Sequence, residues 1–326
     1  FPEITAADDF RGLSHAVLFA NRPKDSDFAD IYPSGREWTY SPVIRGWNQI
    51  YDPRTNTTGY SDNAALVIAH AAVNLFGKSV DWDEVAIEAD ICDALVTNGS
   101  GATQKRWTIN TVLKSNMTWE QVRSHFQMCC DAFFYERKDG KIGFKVGYYS
   151  APTVTSTRDD FLSLSLRHKS HGPDQVGSYA MRYVEPARDW KQEVTGAVIV
   201  GPAEQRREEE CYGIDSHNQA WRVIYRWAKT AQPEWRISGT IKPIGYNCMG
   251  ERFLRIQHAE VGLDCVVEIG LLQRNQDSHT FQIEAVSVEE DDFSPNALAL
   301  EPPRTLRETI SEIGRASCRE RVSSPV

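Results

Sequence analysis

The chain has 326 residues, 41% of them hydrophobic and 25% charged, which is ordinary for a soluble globular protein of two or three domains. Its formal net charge of -9 and pI of about 5.5 argue against a general nucleic-acid binder, which masses Lys and Arg against phosphates. The longest apolar stretch, residues 64–73, is too short to span a bilayer. Because the chain begins with Phe1 rather than Met, we expect it to be a fragment.

The first 50 residues carry a pattern of short strands joined by loops. Strand candidates lie at residues 16–20 and 38–44. Pro42 has no backbone N–H to donate, so it restricts the second candidate to a sheet edge.

Capping residues and helical spacing predict two helices between residues 60 and 95. Ser61 or Asp62 would accept the first free backbone amides of the first helix, and Gly77 would end it in a left-handed turn. Asp81 would cap the second helix, with Glu84 reaching back to its amide in a capping box. Their predicted buried stripes comprise Leu66, Ala69, Val73 and Phe76, then Val85, Ala89, Cys92 and Leu95.

Residues 106–113 alternate and predict a strand, and a third helix follows, capped by Thr118 together with Gln121. The predicted stripe of this helix comprises Val122, Phe126, Cys129, Cys130 and Phe133. This periodicity assigns the two adjacent cysteines to the core. Two β-prone runs then flank Asp139-Gly140, a pair typical of a hairpin turn.

After residue 150 the pattern is mainly that of antiparallel sheet. Strands are predicted within residues 153–184, whereas the polar residues 189–210 predict a solvated loop or edge. A fourth helix would start at Ser216, with Gln219 in its first turn. A meander is predicted from four further runs, at residues 235–244, 251–258, 264–271 and 280–288.

The cysteines do not favour a metal centre. The chain has seven of them: Cys92, Cys129, Cys130, Cys211, Cys248, Cys265 and Cys318. Zinc and iron–sulfur sites use clustered thiolates, and no two of these stand in a Cys-x-x-Cys arrangement. We therefore predict no metal and no cofactor, and we interpret the cysteines as buried free thiols made in a reducing cytosol.

No set of residues predicts an enzyme, because none matches a motif with a known mechanism. The sets considered are His168 and His171 near Asp159, Asp160 and Asp174; the carboxylates Asp81, Asp83 and Glu84; Ser163 and Ser165; and Gly99 with Gly101. Loop histidines beside glycine and proline are usually solvated, and capping explains Asp81 and Glu84. We predict no catalytic, cofactor-binding or metal-binding residue.

An ordered set of short motifs resembles the central tail-hub proteins of long-tailed bacteriophages, the tip attachment protein J group. The motifs are Asp-Pro-Arg (52–54), Ser-Asp-Asn-Ala-Ala-Leu (61–66), Trp-Asp-Glu (82–84) in a helix ending in Cys-Asp (92–93), Gly-x-Gly (99–101), Arg-Trp-Thr-Ile-Asn (106–110), Thr-Trp-Glu-Gln (118–121), Asp-Gly-Lys-Ile-Gly-Phe (139–144), Val-Gly-Ser-Tyr-Ala-Met-Arg-Tyr-Val-Glu-Pro (176–186) and Gly-Ile-Asp-Ser-His-Asn-Gln-Ala-Trp-Arg (213–222). The resemblance covers about residues 15–300. No single motif is specific, but the ordered set is.

The resemblance implies a structural protein of the virion tail, made in the bacterial host cytoplasm. It implies an α+β fold, with antiparallel β-rich hub domains built from barrel or sandwich pieces and a few amphipathic helices. It also implies a homotrimer that closes the distal tail tube, contacts other tail-tip and tail-tube proteins, and supports host attachment. No membrane span and no sequence-specific nucleic-acid binding are expected.

The same resemblance suggests domain boundaries. Residues 1–50 would end an N-terminal β-rich hub domain, residues 51–150 would form a helix-rich α+β domain, and residues 151–300 a β-rich domain with one helix. Residues 301–326 would be a linker and a non-native tail, because residues 312–326 do not continue the family pattern and resemble translated adaptor or vector DNA.

Two other functions stay open. One is a tail-associated hydrolase that acts on the host cell wall, which a cluster of carboxylates in one cleft would favour. The other is the base of a host-receptor adhesin, whose binding tip would lie in a missing C-terminal region.

Overall fold

The computed structural model describes residues 23–31, 44, 46–169, 176–201, 204–275 and 277–304. Its contacts divide the chain into two units, residues 1–45 and residues 46–326. In the first unit the described residues include helix α1, Phe28–Ile31. The predicted strand at residues 16–20, and all but the last residue of that at residues 38–44, lie outside the described residues.

The second unit begins with a hairpin that leads into a helix. Strands β1 (Ile50–Asp52) and β2 (Thr57–Gly59) pair antiparallel, and helix α2 (Ala64–His70) follows. A π-helical turn, Ala71–Leu75, extends this helix. Gly77 then adopts a φ of +60°, which confirms the predicted left-handed end.

The cap of α2 is Asn63 rather than either predicted residue. Its side-chain oxygen accepts two backbone N–H groups of the first turn, at 3.1 and 3.3 Å. Ser61 instead accepts the N–H of Asn63, and Asp62 forms an ion pair with Lys105 at 2.9 Å. The prediction was therefore wrong by one or two residues, because both candidates have other partners.

Helix α3, Trp82–Asp93, begins after Asp81, whose carboxylate caps the first turn as predicted. The second half of the predicted capping box was wrong, because the Glu84 carboxylate forms an ion pair with Arg137. Leu95 was also wrongly assigned to the buried stripe: it lies beyond the helix end and is 68% exposed. The rest of the stripe is buried, namely Val85, Ala89 and Cys92.

Two further hairpins lie on either side of helix α4, Trp119–Cys130, in the sequence. They are β3 (Leu95–Thr97) with β4 (Thr103–Lys105), and β5 (Phe133–Glu136) with β6 (Ile142–Lys145). The predicted capping box of α4 and the predicted hairpin after it are both confirmed.

The predicted strand at residues 106–113 was wrong. Within this described segment the only ladder-type contact is an isolated bridge between Thr108 and Asn63. The side chains of Trp107 and Ile109 are buried on either side of Thr108. The segment therefore runs extended through the core, and its backbone groups bond to several separate partners instead of one neighbouring strand.

The elements after residue 150 are, in chain order, β7 (Thr155–Thr157), β8 (Phe161–His168), β9 (Ser178–Glu185), β10 (Lys191–Val194), β11 (Val198–Ile199), β12 (Arg206–Glu210), α5 (His217–Ala231), β13 (Trp235–Ile241), β14 (Phe253–His258), β15 (Leu263–Asn275), β16 (Thr280–Ser287) and α6 (Ala297–Leu300). The strands among them form two sheets. In the first, β10 and β11 pair antiparallel with β9, and β12 pairs parallel with it. The polar residues 189–210 thus supply edge strands, and α5 packs against β9.

The second sheet has six strands in the order β7-β14-β15-β16-β13-β8 and curls into an open half-barrel. Its pairs are antiparallel except for β7 with β14. The four predicted strands all form, but β13 pairs with β16 and β8 instead of with β14, so only the last three strands make a meander. The α+β class with antiparallel-rich sheets is confirmed.

Two hydrophobic clusters make up most of the core of the second unit. The first joins α2, α3, α4, α5 and β9, and so contains residues from both of the predicted domains 51–150 and 151–300. The second lies within the six-stranded sheet. Helix α5 contacts α4 and β9, so it joins the helical part to the first sheet.

Candidate functional site

A cleft of about 610 Å³ lies between α3 and the β5–β6 hairpin. Its ionisable lining includes Glu84 and Glu88 from α3, Tyr135, Arg137 and Lys145 from the hairpin, and Glu251 from the loop before β14. This is where the structure collects several carboxylates around one concave surface. The cleft is therefore the candidate site for acid–base chemistry.

Glu84 at the mouth of the cleft and the neighbouring Asp81, which does not line it, are paired with cations. Asp81 lies 3.0 Å from a guanidinium nitrogen of Arg137 and 3.5 Å from the Lys141 ammonium. The same guanidinium pairs with Glu84, which also accepts the hydroxyl hydrogen of Tyr135 at 3.1 Å. These contacts give the mouth a structural role, since they clamp the start of α3 to the hairpin.

Glu88 is the unusual group of the cleft. It is 9% exposed, and burial raises its pKa to about 7, even though the backbone N–H of Val146 donates to it at 2.8 Å. A carboxyl group with such a pKa exchanges a proton near neutral pH. The sequence analysis missed Glu88, although it lies three residues after Val85 on the buried stripe of α3, a spacing that signals a buried acid.

The histidines considered in the sequence do not form a site among the described residues. His168 lies 3.7 Å from Glu234, but both side chains are more than half exposed. Its ring packs edge-on against Trp235. His171 and Asp174 lie outside the described residues.

Two other candidates from the sequence have structural partners. The Asp160 carboxylate accepts the backbone N–H of Thr157 at 2.7 Å and so caps a 3-10 turn. The Ser163 hydroxyl accepts the backbone N–H of Thr240 from the neighbouring strand at 3.2 Å. Both contacts stabilise the local fold.

Four charged side chains form a buried network between the helical part and the six-stranded sheet. Arg252 contacts Asp131 at 2.6 Å and Glu268 at 2.7 Å. Arg226 from α5 pairs with Glu268 and lies 3.6 Å from Asp131. The two arginine side chains are 2% and 3% exposed, so their charges are balanced by the two carboxylates and not by water.

The residues after α6 are tied to the body of the unit. Glu301 accepts the backbone N–H of Gly99 at 2.6 Å and the side-chain amide of Asn218 at 2.6 Å. It also lies 2.8 Å from Nδ1 of His217 at the start of α5. The first residue of the predicted linker is thus held by three contacts.

A cluster of sulfur and nitrogen atoms lies between α4 and the segment that follows β12. The predicted burial of Cys129 and Cys130 is confirmed, but Cys211 lies beside Cys129 with 3.5 Å between the sulfurs. Nε2 of His125 is 3.7 Å from the Cys129 sulfur. The sequence analysis missed this cluster because Cys211 is 82 residues from Cys129 in the chain.

The protonation of these groups follows from their surroundings. The hydrogen bond to Cys129, and then those from the amides of Gly213 and Ile214, lower the pKa of Cys211, while burial opposes them. Burial raises the pKa of Cys129 and lowers that of His125, so the imidazole is held neutral.

Residues from the separate sequence motifs meet in the structure. Arg54 of the Asp-Pro-Arg turn bonds to Asp52 at 2.8 Å and pairs at 2.9 Å with Asp93, the last residue of α3. The Arg222 guanidinium lies 4.2 Å above the ring centre of Trp107. These motif residues hold elements together and do not line the cleft.

No protein-family profile matches the chain, and no curated protein matches its sequence. Among solved structures it is similar to a chain from the virion of a native gene transfer agent particle, at 16% identity and a TM-score of 0.44, over 55% of this chain and 42% of that chain. It is similar to a tail protein of prophage MuSo2 from Shewanella oneidensis, at 10% identity and a TM-score of 0.39, over 72% and 66% of the two chains. It is also similar to the tail protein from Neisseria meningitidis MC58, at 13% identity and a TM-score of 0.37, over 71% and 68%.

The chain spans less than half of the gene transfer agent chain and about two thirds of the other two proteins. Identities below 25% and TM-scores below 0.5 assign neither a family nor a function. Among the described residues, no helix combines the length and the apolar character needed to cross a membrane.

Proposed function

We propose that this chain is a structural component of a bacteriophage or prophage tail, a central hub protein that closes the distal tail tube and supports host attachment. The observation that carries the proposal is the ordered set of motifs between residues 52 and 222. It is supported by three of the motif residues, since Arg54, Trp107 and Arg222 make contacts between elements. Glu84 of the Trp-Asp-Glu motif, in contrast, lines the cleft.

The energetics of the second unit suit this role. A hub must hold its neighbours in fixed positions, which requires a subunit that does not deform under load. The buried network around Arg252 and Glu268 joins the helical part to the six-stranded sheet, and breaking such a network leaves charges unpaired in the core. The fold therefore resists relative movement of its two main clusters.

The partners in this proposal are two further copies of the chain and the neighbouring tail-tip and tail-tube proteins. A three-fold ring joins each copy to the next through two different surfaces. Assembly would take place in the host cytoplasm, and the protein would end in the virion tail. The acidic net charge of -9 gives it no general attraction to nucleic acid.

The experiment is a stop codon introduced into this reading frame in the phage or prophage that carries it. After induction, electron microscopy is expected to show heads without functional tails, and expression of the intact protein in trans should restore tailed particles. Tailed, infectious particles in the absence of the protein would exclude a structural role.

A second candidate function is a tail-associated cell-wall hydrolase, and Glu88 is the observation that favours it. Its raised pKa and its place in a cleft with Glu84 fit a proton donor in glycoside hydrolysis. A turbidity assay on peptidoglycan tests this candidate: clearing that disappears in Glu88→Gln and persists in Glu204→Gln, an exposed residue outside the cleft, would establish it. We expect no clearing by the parent protein.

A further inference from the structure

His125, Cys129 and Cys211 bring three donor atoms together at one point. His125 and Cys129 lie one turn apart on α4, and Cys211 follows β12 directly. The two sulfurs and a ring nitrogen all lie within 4.8 Å of one another. Both cysteines are fully buried.

Two of the three donor separations agree with the edges of a zinc coordination tetrahedron. Zinc binds sulfur at about 2.3 Å and imidazole nitrogen at about 2.0 Å, which places two sulfurs about 3.8 Å apart and sulfur about 3.6 Å from nitrogen. The observed separations are 3.5 Å between the sulfurs and 3.7 Å from the Cys129 sulfur to Nε2 of His125. A disulfide would need the sulfurs at about 2.0 Å.

The surrounding backbone is shaped for close approach of the donors. A Cβ added to Gly213 would lie 2.5 Å from the Cys129 sulfur and 3.0 Å from Nε2 of His125, so only glycine fits there.

Thr111 lies beside the ring nitrogen that would bind the ion. Its hydroxyl oxygen lies 2.9 Å from Nε2 of His125, the same nitrogen that faces the sulfurs. Because a ring nitrogen makes one such bond at a time, an ion bound at Nε2 would replace this hydrogen bond, and the freed hydroxyl or a water could complete four-coordination around an ion held by the other three donors.

We propose that His125, Cys129 and Cys211 bind one zinc ion, with the fourth position filled at Thr111, and that the ion fastens α4 to the segment after β12. Two thiolates and an imidazole select zinc over magnesium or calcium, which prefer oxygen ligands. The site replaces the expectation of a metal-free protein. It does not depend on the proposed role in a tail.

The test uses the full chain, purified under reducing conditions in the presence of zinc chloride. Elemental analysis is expected to find about one zinc per chain. X-ray absorption at the zinc edge should show two sulfur neighbours, and replacement by cobalt should give the visible bands of a tetrahedral thiolate complex. These measurements on the parent protein need no variant to fold.

Variants then assign the ligands. Cys211→Ser and His125→Gln should lose the stoichiometric metal, as long as circular dichroism shows that they fold. Cys130→Ser is the matched control, because Cys130 is equally buried on the same helix but bonds to the carbonyl of Phe126 instead. It should keep the metal.

Three results would overturn the proposal. The first is a parent protein that gives no cobalt bands and no sulfur-bound zinc. The second is metal that persists in Cys211→Ser or is lost equally from a folded Cys130→Ser. The third is a Cys129–Cys211 disulfide found by mass spectrometry in protein purified with zinc.

Discussion

The side chain of Gln219 bonds to Thr108 as a neighbouring strand would. Its oxygen accepts the backbone N–H of Thr108 at 3.1 Å, and its nitrogen donates to the carbonyl of the same residue at 2.7 Å. The nitrogen also donates to the carbonyl of Cys129 at 2.9 Å. One amide of α5 therefore replaces part of a β-ladder for the extended segment 106–113 and joins that segment to the end of α4.

Replacing Gln219 with Leu should destabilise the protein by about 1–3 kcal/mol, because the substitution keeps the volume but leaves buried peptide groups without partners. Urea denaturation followed by circular dichroism measures this change. Gln273→Leu, at an exposed position on β15, is the control and should shift the free energy of unfolding by less than about 0.5 kcal/mol. Equal stability of the two variants would contradict the role given to Gln219.

Arg252→Met should destabilise the protein by about 3–5 kcal/mol, because it leaves Asp131 and Glu268 with one buried cation instead of two. Arg255 is a matched control on β14: its pair with Asp264 is half exposed, and Arg255→Met should leave the melting temperature almost unchanged. Calorimetry of both variants checks the contrast. A larger loss in Arg255→Met would show that the buried network is not a clamp.

Glu88 should make stability depend on pH. Its pKa rises from 4.5 to about 7 on folding, so the stabilisation is fully present below about pH 4.5 and is lost as the pH rises through about 7. The difference of about 2.5 units corresponds to about 3 kcal/mol at most. Glu88→Gln, which stays neutral, should be close to the parent at acid pH and more stable than the parent above neutral pH.

Denaturation midpoints measured across this pH range test the prediction, with Glu136→Gln as an exposed control on β5. If the midpoints of the parent and of Glu88→Gln change with pH in parallel, Glu88 does not change its protonation on unfolding.

Two truncations should show that residues 301–304 stabilise the fold and that the predicted tail, residues 312–326, does not. Removing residues 312–326 should change the free energy of unfolding by less than about 0.5 kcal/mol, as the sequence predicts for a non-native extension. Removing residues 301–326 also deletes Arg304, whose guanidinium bonds to the buried Glu185 at 2.7 Å, together with the contacts of Glu301. We expect a loss of about 1–3 kcal/mol, measured by thermal denaturation. Identical melting curves would show that these contacts do not stabilise the fold.

The sequence predicted well the caps and turns that depend on residues close together in the chain. Thr118 and Gln121 cap each other within four residues, and the turn at Asp139 and Gly140 follows from those two residues alone. The cap of α2 shows the limit of such reasoning, because Asp62 is engaged by Lys105 from 43 residues away. Where a distant partner competes for a side chain, a local pattern gives the wrong residue.

Most of the features that were not predicted from the sequence depend on contacts between distant segments. Residues 106–113 alternate like a strand, but Gln219 supplies their partner from 111 residues further along the chain. Cys211 joins Cys129 in the same way, and no spacing rule anticipates it. Glu88 is different, since its position on the buried stripe of α3 could have been recognised from the sequence.

The most direct test of the central proposal is gold labelling of tailed particles whose genome carries this reading frame, using an antibody raised against the purified chain. We predict label at the distal tip of the tail, at the end away from the head. Label spread along the tail tube would contradict the hub position. Particles without label, with the protein free in the lysate, would contradict a structural role altogether.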